Sequence, residues 1–144
     1  MKIVIYEPEK NEEEKISMRV YSMSEKMLRA IEILKGPEDL NVYIDNKNFK
    51  LAISEVFYVE SVDFKTFVCV ESTVYQSRLK LYQIEETLVK GNFLRISRQV
   101  IVNLNKIRNV SSAGGGRIEI KLINNEKLIV SRQYASALKK RFGL

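Results

Sequence analysis

The stretch FLRISRQVIVN, from Phe93 to Asn103, places three basic or amide side chains, Arg95, Arg98 and Gln99, within a few residues. It begins with an aromatic and an aliphatic residue and ends in a Val-Ile-Val run, a pattern that is typical of a buried strand. Apolar residues flank the polar side chains on both sides, which a simple surface loop does not need. The stretch therefore predicts that cations are held in place by packed core.

Strand-like runs separated by turns continue on both sides of this stretch. LNVYI and FKLAI flank Asp45–Asn48, which predicts a hairpin turn because Asn and Asp tolerate left-handed backbone conformations. The runs VFYVES, KTFVCVE and TVYQSRL follow, and FVCV is apolar on both faces, which indicates a central strand. Arg117–Leu122 and Lys127–Val130 flank a second hairpin turn. The predicted fold is mainly β with short helices.

Helical periodicity is confined to three short segments. The first follows Ser24, a good N-cap, and ends at Gly36. The second, Leu81–Lys90, has apolar residues at three- and four-residue spacing and is followed by glycine. The third runs from Ser131 to about Phe142. Each is amphipathic, so we expect each to pack one face against other elements.

The N-terminal residues 1–44 are predicted to form a small strand-strand-helix element in front of a β-rich domain of residues 45–144. Met1–Tyr6 is rich in β-branched residues, and Ile16–Met23 alternates apolar with polar positions before the pattern lapses. The helix after Ser24 completes the element. We interpret it as an accessory packing or dimerisation element.

Length and composition indicate a soluble protein with one main domain. The chain has 144 residues, of which 45% are hydrophobic and 29% charged. Its apolar runs are far shorter than the roughly 18 residues of a membrane-spanning helix, and the MKIVIYEPEK start lacks a signal-peptide pattern. The single cysteine, Cys69, excludes an internal disulfide and fits a reducing cytoplasm.

The residue inventory argues against catalysis. The chain contains no histidine, which excludes Cys-His and Ser-His-Asp arrangements and most zinc sites. Cys69 lies in an apolar run and is interpreted as a small buried hydrophobic residue. The neighbouring carboxylates Glu85 and Glu86 belong to an exposed helix face. We therefore expect no enzyme activity, no metal and no cofactor.

Charge is distributed unevenly along the chain, although the net value is only +6. Residues 1–45 hold 7 Lys and Arg against 10 Asp and Glu, whereas residues 46–144 hold 17 against 8. An acidic first part beside a cationic second part is typical of a nucleic-acid-binding protein with an accessory segment. The alternative is a solvated basic face without a partner.

The basic residues cluster at predicted strand ends and helix starts, where loops emerge from a rigid scaffold. They are Lys65, Arg95, Arg98, Arg132 and the Lys139-Lys140-Arg141 run. Arginine can bind guanine and glutamine can bind adenine, each through two hydrogen bonds, and lysine can hold phosphates. Arg98-Gln99 and Arg132-Gln133 each supply such a pair.

Some members of these clusters have structural alternatives. Arg95 alternates with Leu94 and Ile96, so it is equally interpreted as a strand residue that pairs across the sheet. The basic run near the C-terminus resembles an ordinary solvated helix end. The triple glycine at residues 114–116 lacks the Lys-Ser/Thr that follows a phosphate-binding loop, which favours a flexible hairpin-like loop.

Four segments, in order, resemble the LytTR family of bacterial DNA-binding domains. They are FYVESVDFKTFV (57–68), SRLKLYQIEETL (77–88), FLRISRQVIVNLNKI (93–107) and GRIEIKLINNEKLIVSRQYASALKK (116–140). The resemblance covers about residues 45–144. It implies a β-rich fold that grips duplex DNA with loops in successive major grooves, commonly at paired direct repeats, and that regulates transcription.

Carried over by position, the resemblance implies three DNA-contacting regions and one structural residue. The loop after VFYVES would present Lys65 and Thr66, the loop within FLRISRQ would present Arg98 and Gln99, and the start of the last helix would present Arg132 and Gln133. Asn103 matches a family asparagine and is interpreted as structural. Ser97 stands where many members have histidine and Gln99 where many have serine, so the preferred base sequence does not carry over.

The resemblance also bears on regulation. Many family members have a phosphorylation domain in front, but residues 1–45 are too short for one, which predicts a standalone regulator. We expect a cytoplasmic bacterial transcription regulator that binds double-stranded DNA as a homodimer, with a possible membrane or protein partner controlling it. The alternative is a β-rich protein–protein or membrane-partner interaction module that does not bind DNA directly.

Overall fold

The computed structural model describes residues 2–7, 9–10 and 15–144. Within them the chain forms three α-helices: α1 (Glu25–Lys35), α2 (Leu81–Leu88) and α3 (Arg132–Phe142). It also forms ten strands: β1 (Asp39–Ile44), β2 (Lys47–Ala52), β3 (Tyr58–Val62), β4 (Lys65–Cys69), β5 (Val74–Ser77), β6 (Phe93–Arg95), β7 (Val100–Asn103), β8 (Ile107–Gly114), β9 (Arg117–Leu122) and β10 (Lys127–Val130). The β-rich fold is confirmed.

The strands form two antiparallel sheets. The larger sheet has seven strands in the order β2-β1-β5-β4-β3-β7-β6, and the smaller has three in the order β10-β9-β8. Strand β4, which contains Phe67, Val68 and Cys69 of the FVCV run, has three strands on each side of it. Its Val68 and Cys69 are buried. The prediction of a central strand is confirmed, because only a strand covered on both faces can bury successive side chains.

The larger sheet lies between two hydrophobic cores. On one face Val59 and Ile101 pack with the apolar side of α2. On the other face Phe57 and Val102 pack with β9 and with the buried side of α3. Strands β3 and β7 supply both cores because successive side chains point to opposite faces of a sheet. The β6–β7 stretch is therefore anchored from both sides.

The two predicted N-terminal strands are wrong for the residues described. Positions 2–7 and 15–23 have no regular secondary structure, and Met1 lies outside the described part. Their apolar side chains are exposed, as at Ile5 and Ile16. A strand needs a neighbour to pair its backbone groups, and alternation of side chains alone does not supply one.

Helix α1 forms where it was predicted. The Ser24 side chain accepts a hydrogen bond from the Met27 N–H at 3.3 Å, and Gly36 ends the helix with φ +74°. No residue of α1 is buried, so the expectation that its apolar face packs against other elements of the chain is wrong. Strand β1 belongs to the same sheet as β2 and β5, so the sheet begins at Asp39, ahead of the predicted boundary at residue 45.

Candidate nucleic-acid interface

The β6–β7 connection is a tight loop with a buried base and an exposed tip. Ile96 is fully buried, and its N–H donates to the Val100 carbonyl at 3.0 Å. The Gln99 N–H donates to Ser97 Oγ at 3.2 Å, which closes the turn. The side chains of Arg98 and Gln99 are exposed. The anchoring that the flanking apolar residues predicted is present, and it leaves these two side chains free for a ligand.

Arg95 is occupied by contacts within the protein. Its Nε donates to the Ser97 carbonyl at 2.8 Å, its Nη2 donates to the Arg98 carbonyl, and its Nη1 pairs with Glu85 Oε2 of α2 at 2.9 Å. One guanidinium therefore holds two carbonyls of the loop while a carboxylate holds the guanidinium. This favours a structural role for Arg95 over the predicted base contact.

Two main-chain hydrogen bonds bring the other predicted regions beside this loop. The Ser61 N–H at the end of β3 donates to the Gln99 carbonyl at 2.8 Å. The Ser131 N–H, directly before α3, donates to the Ile96 carbonyl at 2.9 Å. The end of β3, the β6–β7 loop and the start of α3 are therefore neighbours. The chain order alone does not reveal this adjacency.

The β3–β4 turn presents Lys65 but not Thr66. Lys65 is the first residue of β4 and is exposed. Thr66 is only 4% exposed and lies between Ser61 of β3 and Ser77 of β5 in the sheet register. Because consecutive side chains of a strand point to opposite faces, the exposure of Lys65 does not extend to Thr66. The proposed contact set therefore omits Thr66.

The start of α3 presents Arg132 and Gln133, which are both exposed. Ser131 occupies the N-cap position, although its side chain makes no capping hydrogen bond. Its carbonyl instead accepts from the N–H groups of Tyr134 and Ala135. The positive end of the helix macrodipole lies at the same place and favours an anion such as phosphate.

Asn103 has the structural role that was expected of it. It is 3% exposed, and its Nδ2 donates to the Val56 carbonyl at 2.8 Å. Its Oδ1 accepts from the Asn105 N–H at 3.0 Å. The amide thus links the end of β7 to the segment that precedes β3 and closes the turn that follows.

Sequence reasoning missed Phe64 and Arg78. Phe64 is 93% exposed, in the two-residue turn between β3 and β4. Arg78 follows β5 and stacks over the Tyr43 ring, with Cζ 4.5 Å from its centroid. The three-residue break between the runs VFYVES and KTFVCVE, Val62 to Phe64, was the available signal for Phe64. Nothing local in the sequence signals the Arg78 contact, because Tyr43 lies on a strand far away along the chain.

Two titratable groups of the described residues, Cys69 and Tyr58, have clearly shifted pKa values. Burial raises the pKa of the Cys69 thiol to about 11, although a hydrogen bond from Tyr58 opposes this shift. Burial and the hydrogen bond with Cys69 likewise raise the pKa of Tyr58. A protonated, buried thiol is a poor nucleophile. The described residues also contain no cluster of three carboxylate or thiol groups suited to a metal ion.

Comparison with known proteins shows the family to which the chain belongs. Residues 46–143 match the model of the LytTr DNA-binding domain family. The solved structure of a LytTr DNA-binding domain from Bacillus cereus aligns with a TM-score of 0.71 and 28% identity, covering 76% of this chain and 100% of that one. The chain belongs to the LytTr DNA-binding domain family, which is a class of DNA-binding domains and not of enzymes.

Relatives of this chain are transcriptional or sensory regulators of bacteria. The sensory transduction protein LytT of Enterococcus faecalis is 27% identical over 138 residues, covering 92% of this chain but only 57% of that protein. An uncharacterized HTH-type transcriptional regulator of Staphylococcus aureus is 24% identical over 147 residues, covering 100% of this chain and 99% of that protein. Across the described residues no helix is long and apolar enough to cross a membrane.

Proposed function

We propose that the chain binds duplex DNA sequence-specifically and regulates transcription, with the β6–β7 loop, the β3–β4 turn and the start of α3 entering major grooves. The observation that carries the proposal is the adjacency of these regions through the hydrogen bonds of Ser61 with Gln99 and of Ser131 with Ile96. Loops fixed by main-chain bonds lose little conformational entropy on binding. The cationic charge of residues 46–144 supplies the attraction to DNA.

The exposed side chains suggest a division of labour. Arg98 and Arg132 suit guanine and Gln99 and Gln133 suit adenine, because each can form two hydrogen bonds with one base edge. Lys65 is a point charge at a turn and suits a phosphate. Because Arg98 and Gln99 occupy the tip of the β6–β7 loop, we expect base preferences that differ from those of family members with other residues there.

The N-terminal part is proposed to join two copies of the chain in the cytoplasm, so that the homodimer occupies paired direct repeats. Leu28, Ile33 and Leu34 of α1 are 50%, 73% and 57% exposed. Apolar area of this kind is covered in most soluble proteins. Two copies whose DNA-binding domains are joined by a short connection would engage two half-sites with higher avidity than one copy.

A salt titration tests DNA binding directly. Fluorescence anisotropy with duplexes from the upstream region of its own gene should show binding. The logarithm of the association constant should fall linearly with the logarithm of the salt concentration. Selection of bound sequences from random duplexes should then give a motif, and the spacing and orientation of half-sites report the arrangement of the two copies. Absent or salt-insensitive binding would contradict the proposal.

A second candidate function is a protein-interaction module without direct DNA contact. It is favoured by the exposed apolar residues of the N-terminal part, such as Ile3, Tyr6 and Ile16 at 78%, 84% and 70%. In that case the purified chain would bind neither specific nor random duplexes, yet deletion of residues 1–35 would abolish association with a protein or membrane partner. DNA binding that survives this deletion would reject it as the primary function.

A further inference from the structure

A row of cations crosses one end of the larger sheet, beyond the three regions described above. The register pairs Thr66 of β4 with Ser77 of β5, so extending it by one residue places Lys65 opposite Arg78. On the other side of β4, the end of β3 leads to the β6–β7 loop through the hydrogen bond of Ser61. Neighbouring strands lie about 4.8 Å apart. The cations at this end of the sheet therefore lie close together along a line from the β6–β7 loop to the end of β5. They are Arg98, Lys65 and Arg78.

Arg78 is held in a defined position although it is exposed. Its guanidinium stacks on the Tyr43 ring at 4.5 Å, and its Nη1 donates to Asn48 Oδ1 at 3.0 Å. Tyr43 is itself fixed, because its hydroxyl donates to Gln76 Oε1 at 3.0 Å. A guanidinium that is already ordered loses little freedom when it meets a ligand, and stacking leaves its remaining N–H groups available.

Arg78, Tyr43 and Gln76 line an open groove of about 270 Å³ beside the β3–β4 turn. The described residues that form its walls include three cations, Lys65, Arg78 and Lys80, and no carboxylate. Apart from the cations, the walls are mainly polar and aromatic. Such a lining is suited to an anionic chain and is ill suited to the apolar face of a protein partner.

Phe64 lies at the rim of this groove and has a left-handed backbone conformation, which is unfavourable for a residue with a β-carbon. It follows Asp63, and both have positive φ, +48° and +64°. Such a two-residue turn prefers Asp-Gly, since glycine adopts positive φ without the penalty of a β-carbon. An aromatic residue here also leaves its ring 93% exposed. Neither the turn nor the core accounts for the phenyl ring.

We propose that this groove is a further DNA-contacting surface, in which Lys65, Arg78 and Lys80 bind phosphates and Phe64 packs on a deoxyribose or a thymine methyl group. The inference rests on the proposed DNA binding and extends its footprint from the β6–β7 loop across to β5. Apolar contact with the thymine methyl is a recognised form of base readout. Phosphate contacts along the groove would fix the register of the domain on the duplex.

The phosphate contacts are tested by Arg78→Ala in the full chain, with Arg108→Ala as a matched control. Arg108 is also an exposed arginine held by an asparagine Oδ1 at 3.0 Å, but it lies on β8 of the smaller sheet. Arg78→Ala should weaken binding to specific and random duplexes by similar factors and reduce the salt slope by about one. Arg108→Ala removes the same charge and should leave the slope unchanged.

The role of Phe64 is tested by Phe64→Gly, which should change stability and DNA binding in opposite directions. The variant creates the preferred Asp-Gly turn, so its urea midpoint should rise or stay equal. Its affinity for the selected duplex should fall on the order of fivefold or more, which is the lower end of the range for losing one base contact. The salt slope should stay the same. Phe64→Asn, which also tolerates positive φ, should behave in the same way.

The outcomes separate this inference from the proposed function. If the unmodified chain binds no duplex, DNA binding itself fails and the groove assignment fails with it. If the unmodified chain binds specifically while Phe64→Gly retains full affinity and Arg78→Ala retains the salt slope, only the groove assignment is overturned. A loss of affinity in Phe64→Gly together with a lower urea midpoint would also overturn the role of Phe64, because it would indicate a structural residue.

Discussion

Gly116, in the turn between β8 and β9, lies directly against the side chain of Arg132 at the start of α3. A β-carbon on Gly116 would be 2.9 Å from Cγ and 3.0 Å from Cδ of the arginine. The small sheet thus supports a side chain that is proposed to contact DNA. The glycine has φ +79°, so it serves both the turn and this close approach.

Gly116→Ala should displace Arg132, and Gly115→Ala is its matched control. Gly115 also has positive φ, but nothing lies within 4 Å of the position that a β-carbon would take there. Both variants should lose about 1 kcal/mol of unfolding free energy from backbone strain. Only Gly116→Ala should also lower the ratio of specific to random DNA affinity. Urea denaturation and anisotropy measure the two effects, and equal DNA selectivity in both variants would contradict the support of Arg132 by Gly116.

Glu85→Ala should lower DNA selectivity even though it removes a negative charge. Without Glu85, the Arg95 guanidinium loses the partner that aligns it with the Ser97 and Arg98 carbonyls. Glu86→Ala changes the same charge at an exposed position of the same helix. The ion pair is partly exposed, so stability should fall by less than about 1 kcal/mol. Anisotropy on specific and random duplexes decides: a uniform rise in affinity for both variants would show that Arg95 does not position the loop.

Arg98→Ala should reduce discrimination between the selected site and a site with one changed base pair by about 1–3 kcal/mol, if the contact with guanine is bidentate. Because Arg98 is exposed, the unfolding free energy should stay within about 0.5 kcal/mol. Competition binding against single-substitution duplexes measures the effect. Equal losses on specific and random DNA would identify Arg98 as a phosphate contact.

Asn103→Ala should destabilise the protein by about 1–3 kcal/mol, because the buried Val56 carbonyl loses its donor and the Asn105 N–H loses its acceptor. Asn109→Ala, at an exposed position of β8, should change stability by less than about 0.5 kcal/mol. Thermal or urea unfolding measures both. DNA affinity per folded molecule should be retained in Asn103→Ala, and a specific loss there would instead indicate a direct contact.

Stability should fall as the pH rises from about 8 toward 11, and Cys69→Ala should reduce this fall. The pKa of Cys69 is raised to about 11 by burial, above the value of about 8.5 in an unfolded chain. The folded state therefore holds the thiol proton more tightly than the unfolded chain does. Below the unfolded pKa the stability is fully present, and the unfolding free energy decreases as the pH rises from there toward 11. Urea midpoints at pH 7 and pH 9.5 compare the two proteins. Identical pH dependence would show that Cys69 titrates normally in the folded state.

Much of the fold follows from local pattern. The FVCV run was apolar on both faces, and β4 is the central strand; the Asp45 turn was expected to tolerate a left-handed backbone, and its φ is +52°. The prediction of two N-terminal strands was wrong because strand pairing does not follow from local pattern. Ile16–Met23 alternates like a strand, but no neighbouring strand pairs with it in the described part, and pairing is a property of the whole chain.

The candidate site divides in the same way. Arg98 and Gln99 could be placed at an exposed tip because apolar residues flank them in sequence. The burial of Thr66 depends on its neighbours β3 and β5, and the engagement of Arg95 depends on Glu85 of α2. Both facts arise between elements, so a single stretch of sequence does not contain them.

The amino-acid sequence by itself determined the alternation of strands and turns, the cationic character of residues 46–144 and the apolar anchors of the Phe93–Asn103 stretch, because these depend on residue type and short spacing. The tertiary structure decided which cations are neighbours and which are already occupied. Main-chain bonds of Ser61 and Ser131 join three distant loops, and Gly116 meets Arg132 across two elements. Such contacts form only when sheets and helices pack, since their partners are far apart along the chain.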